Sequence, residues 1–193
     1  MNKYNEIIKL ITTAKKITVL TGAGISTESG LPDFRSKDGF WTKNKPIQFQ
    51  DYLDNEEQQR LSWGRNIELH KILKEINPNI GHTFVEKIIN LKNKENFLIT
   101  QNIDGLHQRS GVPKDKIIEI HGNATEARCL SCGEKANILD FHAAIKTNNP
   151  LPKCSNCGGL VKVATISFGQ PMNENDMLQA SNISSQCDLM IVM

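Results

Sequence analysis

Two pairs of cysteines are the residues whose types and spacing specify chemistry most directly. Cys129 and Cys132 form one Cys-x-x-Cys pair, Cys154 and Cys157 form the second, and residues 133–153 separate the two pairs. Four thiolates at this spacing suit a closed tetrahedral zinc site, which leaves no coordination position open for a catalytic water. The spacing therefore predicts one structural Zn²⁺ ion, and a redox role for either pair is the less supported alternative.

A glycine turn follows the first segment that is typical of a buried strand. Residues 17–21 are apolar or β-branched and lead directly into Gly22-Ala23-Gly24, with Ser26 two residues later. Two glycines let a backbone approach a pyrophosphate closely, and the Ser26 hydroxyl offers a further hydrogen bond. The third glycine of the usual dinucleotide fingerprint is replaced by Thr27. By itself the turn fits nucleotide binding and a plain tight turn equally well.

Polar side chains also follow the strand predicted at residues 97–100. The chain continues there as Gln101-Asn102-Ile103-Asp104. Asn102 and Asp104 could hold a carboxamide, because an amide group needs both donors and acceptors from its partners. An isolated Asn-x-Asp is more often an Asx-rich turn, which is the alternative interpretation.

His121 stands at the end of a third predicted strand, residues 117–120, and precedes Gly122. Histidine can take up a proton near neutral pH, and a strand end would hold its ring rigidly. A histidine in this setting is therefore a candidate general base, although a single His-Gly pair is more often structural.

These groups need a framework that places strand ends side by side. Helical patterns are predicted at residues 4–14, 56–76, 82–91, 138–146 and 174–184, and strands at residues 17–21, 97–100, 117–120, 164–168 and 188–192. Residues 39–54 carry no regular period. Alternation of strands and helices predicts an α/β fold with a Rossmann-like parallel sheet and helices on both faces. In such sheets the carboxyl ends of the strands carry the site.

Taken together, the motifs resemble those of the sirtuin family of NAD-dependent protein deacylases. The resemblance rests on the string from Gly22 to Ser36, on Gln101 to His107, on His121-Gly122, and on the position of the zinc ribbon after them. It extends in order from about Lys16 to the last residue. It implies a Rossmann-like NAD-binding part over residues 1–122, a zinc-ribbon insertion over 123–163 and a return to the Rossmann-like part over 164–193.

The resemblance also assigns roles to residues of this chain. It implies that His121 is the catalytic base and that Gln101 lies near the ribose. His82 and His107 also match positions in the family motifs, and we interpret both as structural. Phe34 would cover the nicotinamide, since an aromatic ring can shield a cation-like carbon from water. The residues that the resemblance assigns to NAD are Gly22, Ala23, Gly24, Ser26, Phe34, Arg35, Gln101, Asn102, Ile103 and Asp104.

Residues 164–171 resemble the strand with which the family binds an extended acyl-lysine peptide by strand addition. Ile166, Phe168 and Gly169 are the predicted substrate-binding residues. The family usually has Val-Val-x-Phe-Gly-Glu where this chain reads Thr-Ile-Ser-Phe-Gly-Gln. No Tyr-x-x-Arg occurs around residues 61–69, and that pair marks relatives that prefer succinyl or malonyl groups. An uncharged acyl group is therefore expected.

The implied activity is lysine deacetylation, with NAD as co-substrate, transfer of the acyl group to ADP-ribose and release of nicotinamide. An ADP-ribosyltransferase or NAD hydrolase on the same scaffold is the first alternative, and a non-catalytic zinc-ribbon binding module is the second. A hydride-transferring dehydrogenase is disfavoured, because no acidic residue ends a strand about twenty residues after Gly22.

Composition, net charge and the lengths of the apolar runs limit which binding partners and which cellular compartment are expected. The chain has 193 residues, 38% hydrophobic and 23% charged, with a net charge of +2. The mild charge does not predict direct nucleic-acid binding, and the apolar runs are too short for a membrane span. The first ten residues lack the apolar core of a signal peptide, which predicts a cytoplasmic protein. Sirtuins continue past the strand that ends at Met193 with the segment that holds adenosine. We therefore expect a truncated chain with weak NAD binding.

Overall fold

The computed structural model describes residues 3–32 and 45–193, which form seven strands and seven α-helices. The strands are β1 (Lys16–Thr21), β2 (Glu95–Thr100), β3 (Ile117–Glu119), β4 (Gly122–Cys129), β5 (Lys135–Ala136), β6 (Val161–Thr165) and β7 (Leu189–Val192). The helices are α1 (Lys3–Thr13), α2 (Phe49–Asp54), α3 (Glu56–Glu75), α4 (Ile80–Ile89), α5 (Leu106–Arg109), α6 (Ile138–Thr147) and α7 (Glu174–Gln186).

Four parallel strands make the main sheet, in the order β3-β2-β1-β7. Ile17, Val19 and Leu98 are fully buried, because side chains on both faces of this sheet are covered by helices. Helices α1 and α4 cover one face around Ile17, Val19 and Leu98, whereas α7 covers the other around Ile99 and Ile118. The predicted Rossmann-like sheet with helices on both faces is confirmed.

A second sheet carries the cysteines. Strands β5, β4 and β6 pair antiparallel in that order, and helices α3 and α6 pack beside them. The indole of Trp63 on α3 stacks on the ring of Phe141 on α6, with 4.2 Å between ring centroids. Both side chains are buried with Val161 and Val163 of β6, so this small sheet has its own apolar core.

Most predicted elements are confirmed within one to three residues at each end. Three features differ from prediction. Residues 49–54 are helical as α2, where an irregular segment was expected. The strand expected at 164–168 ends at Thr165, and Phe168 lies outside it, in an isolated bridge with Gln48. The turn after Gly22 continues as a 3₁₀ helix, Ala23–Ser29.

Within the part of the chain that the structure describes, no helix has both the length and the apolar character needed to cross a bilayer.

Candidate active site and zinc site

The parallel register places the three predicted strand ends side by side. Thr21 at the end of β1 lies opposite Thr100 at the end of β2, and Thr100 lies opposite Glu119 on β3. The hydroxyl groups of Thr21 and Thr100 are 2.9 Å apart, and the backbone N–H of Asn102 donates to Thr100 Oγ1 over 3.0 Å. Both threonines are buried, so these bonds are shielded from water and fix where the loops leave the sheet.

Ser26 joins the glycine turn to the Asn-x-Asp loop. Its hydroxyl donates to Asp104 Oδ2 over 2.7 Å and accepts from Asn102 Nδ2 over 3.3 Å. The same Asn102 amide nitrogen donates to the carbonyl oxygen of Gly22 over 3.0 Å. Ser26, Asn102 and Asp104 are all buried. The serine predicted beside a pyrophosphate and the two residues predicted to hold a carboxamide therefore form one hydrogen-bonded group.

The glycine turn leaves room for a ligand. A Cβ atom built on Gly22 or Gly24 would have no described atom within 4 Å. Ala23 and Gly24 begin the 3₁₀ helix, and the first N–H groups of a helix have no partner within it. The space beside the start of this helix, as far as the described residues define it, is compatible with a pyrophosphate, and the site stays a prediction.

His121 is half-buried and its ring orientation is fixed by one contact. Its Nδ1 lies 3.0 Å from the carbonyl oxygen of Gln101. A carbonyl oxygen can only accept, so Nδ1 carries the proton and Nε2 of the neutral ring keeps its lone pair. The backbone carbonyl of His121 also accepts from the N–H of Ile166 over 2.9 Å. The candidate base is thus joined both to the Asn-x-Asp loop and to the segment predicted to bind the peptide.

His82 and His107 lie behind the site as a buried pair with ring centroids 4.9 Å apart. His107 Nε2 is 2.9 Å from the Thr21 hydroxyl, and His82 Nδ1 contacts Asn79 at the start of α4. Desolvation, followed by the nearby His82 ring, lowers the pKa of His107 to about 3. Desolvation also lowers the pKa of His82, against the opposing effect of Asp104. His82 Nε2 also lies 3.5 Å from the Ser26 hydroxyl, so the pair supports residues of the site from behind, and its structural role stays a prediction.

The segment predicted to bind a peptide is arranged differently from a free strand. The N–H of Ile166 bonds to His121 and the carbonyl of Phe168 accepts from the N–H of Phe49 over 2.8 Å. Gly169 follows with φ of 79°, a left-handed conformation that favours glycine. The Phe168 side chain is 46% exposed. Ile166 therefore lies beside His121, whereas the backbone of Phe168 is paired with Phe49 within the chain.

Two of the predicted NAD-binding residues, Phe34 and Arg35, lie outside the described residues. Ile103 is half-buried, and its carbonyl oxygen accepts from the N–H of Ala124 over 2.8 Å. This bond fixes the Asn-x-Asp loop against β4.

The four predicted zinc ligands meet at one end of the small sheet. Their Sγ atoms all lie within 4.8 Å of one another, with Cys129 3.5 Å from Cys157 and Cys132 3.6 Å from Cys154. Zn–S bonds of about 2.3 Å in a tetrahedron place sulfur atoms about 3.8 Å apart, so the cluster fits one Zn²⁺. A Cβ on Gly159 would lie 2.9 Å from Cys129 Sγ, so only glycine fits against the thiolates. The predicted zinc site is confirmed as a cluster able to bind one structural ion.

Three residues near His121 were not singled out by the sequence. Glu119 Oε1 accepts from Gln108 Nε2 and from Asn123 Nδ2, both over 2.8 Å. The only sequence signal was an acid inside the otherwise apolar run Ile-Ile-Glu-Ile. Nothing in the spacing indicated that Gln108 and Asn123 would meet it.

Comparison with known proteins gives one family. Residues 22–193 match the sequence model of the Sir2 family. The NAD-dependent protein deacetylase 1 of Bradyrhizobium diazoefficiens is 43% identical over 182 residues, which cover 94% of this chain and 71% of the relative.

Solved structures give the same result. A Sir2 variant with a deacetylated p53 peptide and 3′-O-acetyl ADP-ribose superposes with a TM-score of 0.80 at 30% identity, covering 98% of this chain and 75% of that one. A Sir2 protein bound to a propionylated peptide gives a TM-score of 0.79 at 31% identity, covering 98% and 74%. The chain thus spans about three quarters of the length of these proteins.

Proposed function

Because the chain belongs to the Sir2 family, we propose that it is an NAD-dependent protein lysine deacetylase whose general base is His121. The observation that carries the residue assignment is the hydrogen bond from His121 Nδ1 to the Gln101 carbonyl. It leaves Nε2 as the basic atom at the carboxyl end of the parallel sheet, where ligands of α/β folds bind. The same edge holds the bonded group of Ser26, Asn102 and Asp104.

NAD, when bound, supplies an electrophilic ribose carbon and the ADP-ribose that accepts the acyl group. The open glycine turn of Gly22, Ala23 and Gly24 is the proposed pyrophosphate site. Asn102 and Asp104 are proposed to hold the nicotinamide amide beside Ile103, and Ser26 keeps both side chains in place. Gln101 is proposed at the ribose, and Phe34 with Arg35 is proposed to cover the ring, as the family resemblance implies.

His121 has a single chemical task in this proposal. The acyl oxygen of the lysine would bond to the ribose carbon as nicotinamide leaves. Nε2 would then accept the proton of a ribose hydroxyl as that oxygen attacks the acyl carbon, and addition of water would release the lysine amine and O-acyl-ADP-ribose. A base held by one bond to Gln101 keeps its free nitrogen in a fixed direction, and positioned bases contribute about 10²- to 10⁴-fold in rate.

A protein or peptide is the second substrate. Solved Sir2 structures contain deacetylated and propionylated peptides, and we propose that this chain takes an acyl-lysine segment along Ile166, Phe168 and Gly169. The carbonyl of His121 bonds to Ile166, so a lysine lying on this segment would bring its acyl group to the base. Neutral acyl groups remain the proposed preference.

The zinc cluster is proposed to hold the ribbon together without taking part in the chemistry, because four thiolates fill the coordination sphere. The division into residues 1–122, 123–163 and 164–193 is likewise proposed. A cytoplasmic location is proposed because unpaired thiols arranged for a metal suit a reducing compartment.

The test is to incubate the chain with NAD and an acetyl-lysine peptide, and to follow nicotinamide release together with the mass of the second product. We expect O-acetyl-ADP-ribose in equal amount to nicotinamide and to free lysine peptide. A succinyl-lysine peptide of the same sequence, run in parallel, should react more slowly.

Other products would indicate one of the two alternative NAD-dependent activities. Nicotinamide release with plain ADP-ribose would indicate an NAD hydrolase, and ADP-ribose attached to the peptide would indicate a transferase. Absence of nicotinamide release in the presence of every acyl peptide would contradict the proposed deacetylase.

A further inference from the structure

Glu119 is a half-buried acid to which the proposed chemistry gives no role. It ends β3, opposite Thr100 in the parallel register and two residues before His121. Burial raises the pKa of its carboxyl group, while hydrogen bonds from Gln108 and Asn123 act in the opposite direction. An acid that folding removes from water normally has hydrogen-bonding partners that offset part of the free energy of desolvation. The positions of the two residues that donate hydrogen bonds to Glu119 indicate what this acid does.

One oxygen atom of Glu119 connects helix α5 with the start of strand β4. Gln108 lies on α5, directly after the Asn-x-Asp loop, and donates Nε2 to Glu119 Oε1 over 2.8 Å. Asn123 lies two residues after His121 and donates Nδ2 to the same atom over 2.8 Å. Both bonds run from neutral amides to a carboxylate, which makes them stronger than bonds between neutral groups.

The bond to Asn123 continues into the backbone that follows His121. Asn123 Oδ1 accepts from both the N–H and the hydroxyl of Thr125, over 2.8 and 2.7 Å. Between His121 and Asn123 stands Gly122, in the left-handed region with φ of 73°. The turn that carries His121 is therefore fixed on its far side by Asn123, whose amide group is oriented by Glu119.

We infer that Glu119 is a positioning residue for the deacetylation reaction, holding the His121 turn and the nicotinamide loop in one fixed relation through Asn123 and Gln108. The inference rests on the proposed role of His121. Glu119 connects the His121 turn with the nicotinamide loop. The hydrogen bond from His121 Nδ1 to the Gln101 carbonyl joins the same two segments. Loss of the carboxylate should allow these two parts to shift, and a displacement of about 1 Å can cost about 100-fold in rate.

The experiment compares Glu119→Met with Glu119→Gln in the full chain. Methionine has similar length but accepts no strong hydrogen bond, whereas glutamine keeps one carbonyl oxygen in the position of Oε1. Glu126→Met is the matched control, since Glu126 is a half-buried acid bonded to Arg128 and Lys135 instead. Zinc content and melting temperature are recorded for each variant to show that it is folded.

The first measurement is the ¹⁵N spectrum of the histidine rings, with the His121 signals identified from their absence in His121→Gln. In the wild-type chain we expect the Nδ1–H form, whose two ring nitrogens have widely separated shifts. Glu119→Met should populate the other tautomer, and Glu119→Gln and Glu126→Met should not. Unchanged His121 ring signals in a folded Glu119→Met chain would overturn the inference.

The second measurement is the rate of O-acetyl-ADP-ribose formation at saturating substrates. Glu119→Met should lower kcat by about 10- to 100-fold with little change in KM for the peptide, and Glu119→Gln should restore most of it. If the wild-type chain forms no such product, the proposed function fails, while the ring-nitrogen measurement still decides the inference about Glu119.

A second variant covers the case in which Glu119→Met does not fold. Asn123→Ser keeps an oxygen that can accept from the N–H of Thr125 but cannot reach Glu119. It should give the same change of His121 tautomer as Glu119→Met. A wild-type His121 signature in Asn123→Ser would overturn the inference as well.

Discussion

His121 donates its Nδ1–H to the carbonyl oxygen of Gln101 over 3.0 Å. The acceptor belongs to the loop that carries Asn102 and Asp104, so the loop proposed to hold nicotinamide also determines which nitrogen of His121 is basic. A backbone carbonyl cannot be removed by a side-chain substitution at Gln101. The tautomer of the base is thus set by the position of the loop rather than by the identity of the Gln101 side chain.

Replacing His121 by glutamine should abolish product formation without unfolding the chain. Glutamine can still donate to the Gln101 carbonyl but has no basic atom, and loss of a general base costs about 10²- to 10⁴-fold. O-acetyl-ADP-ribose formation is measured by mass spectrometry, with zinc content as the check on folding. His142→Gln is the matched control, because His142 is buried on α6, where its Nε2 contacts Asn66 and none of the residues assigned to NAD or the peptide. Wild-type turnover by His121→Gln would rule out this residue as the base.

Gly122→Ala should destabilise the chain and stop the reaction. A Cβ at this position would lie 1.9 Å from the carbonyl oxygen of Ala164, and the backbone has φ of 73°. The clash is with backbone, so β6 or the His121 turn must move, at a cost of at least about 2 kcal/mol. The measurement is the free energy of unfolding in urea, together with product formation.

Gly133→Ala separates the clash from the backbone strain. Gly133 has φ of 74° but no described atom within 4 Å of a built Cβ. Its substitution should cost only the left-handed strain, about 1 kcal/mol, and leave activity in place. Equal losses of stability in the two variants would show that contact with Ala164 is unimportant.

Cys154→Ser should reduce the zinc content from one ion per chain to none. Cys154 is buried among the ligands, and a serine hydroxyl is a far weaker zinc ligand than a thiolate. Because binding of a structural zinc is part of the folding free energy, β4, β5, β6 and α6 should lose amide protection in hydrogen exchange.

Cys187→Ser is the control for this substitution. Cys187 is outside the cluster, and its thiol contacts the carbonyl of Ser184. The variant should keep one zinc ion, measured by atomic emission after gel filtration. Full zinc occupancy in Cys154→Ser would mean that three thiolates are enough to hold the ion.

The sequence predicted the framework well where the pattern is local. The strand of Lys16–Thr21 follows from a short apolar and β-branched run, and the helix of Lys3–Thr13 follows from apolar residues that recur on one face. The four cysteines have the spacing of a zinc site, and the structure brings them together. The meeting of polar side chains at the strand ends was also predictable, because parallel strands bring their carboxyl ends together.

Contacts between distant parts of the chain could not be predicted in this way. The bond from Glu119 to Gln108 depends on the position of α5 after the loop, and the bond from Phe49 to Phe168 joins residues far apart in sequence. Residues 49–54 carry no clear period, yet they form α2, whose Tyr52 hydroxyl bonds to the carbonyl of Val161. The secondary structure of such segments depends on tertiary contacts, which a local sequence pattern does not reveal.

His107 makes the stability of the chain depend on pH in a defined direction. Its pKa falls from an ordinary value of 6.5 to about 3 in the folded chain, first because it is desolvated and then because His82 is close. Between these values the unfolded chain binds a proton that the folded chain does not. The stability that follows from a neutral His107 is therefore complete above about pH 6.5 and is lost as the pH falls toward 3, at about 1.4 kcal/mol per pH unit.

His107→Gln keeps a donor for the Thr21 hydroxyl but cannot titrate, so its free energy of unfolding should fall less steeply between pH 6.5 and 5 than that of the wild-type chain. Urea unfolding at several pH values measures both slopes, and zinc is present in both chains, so any acid-induced loss of the ion affects them alike. Parallel slopes would show that His107 is not the group that couples folding to protons.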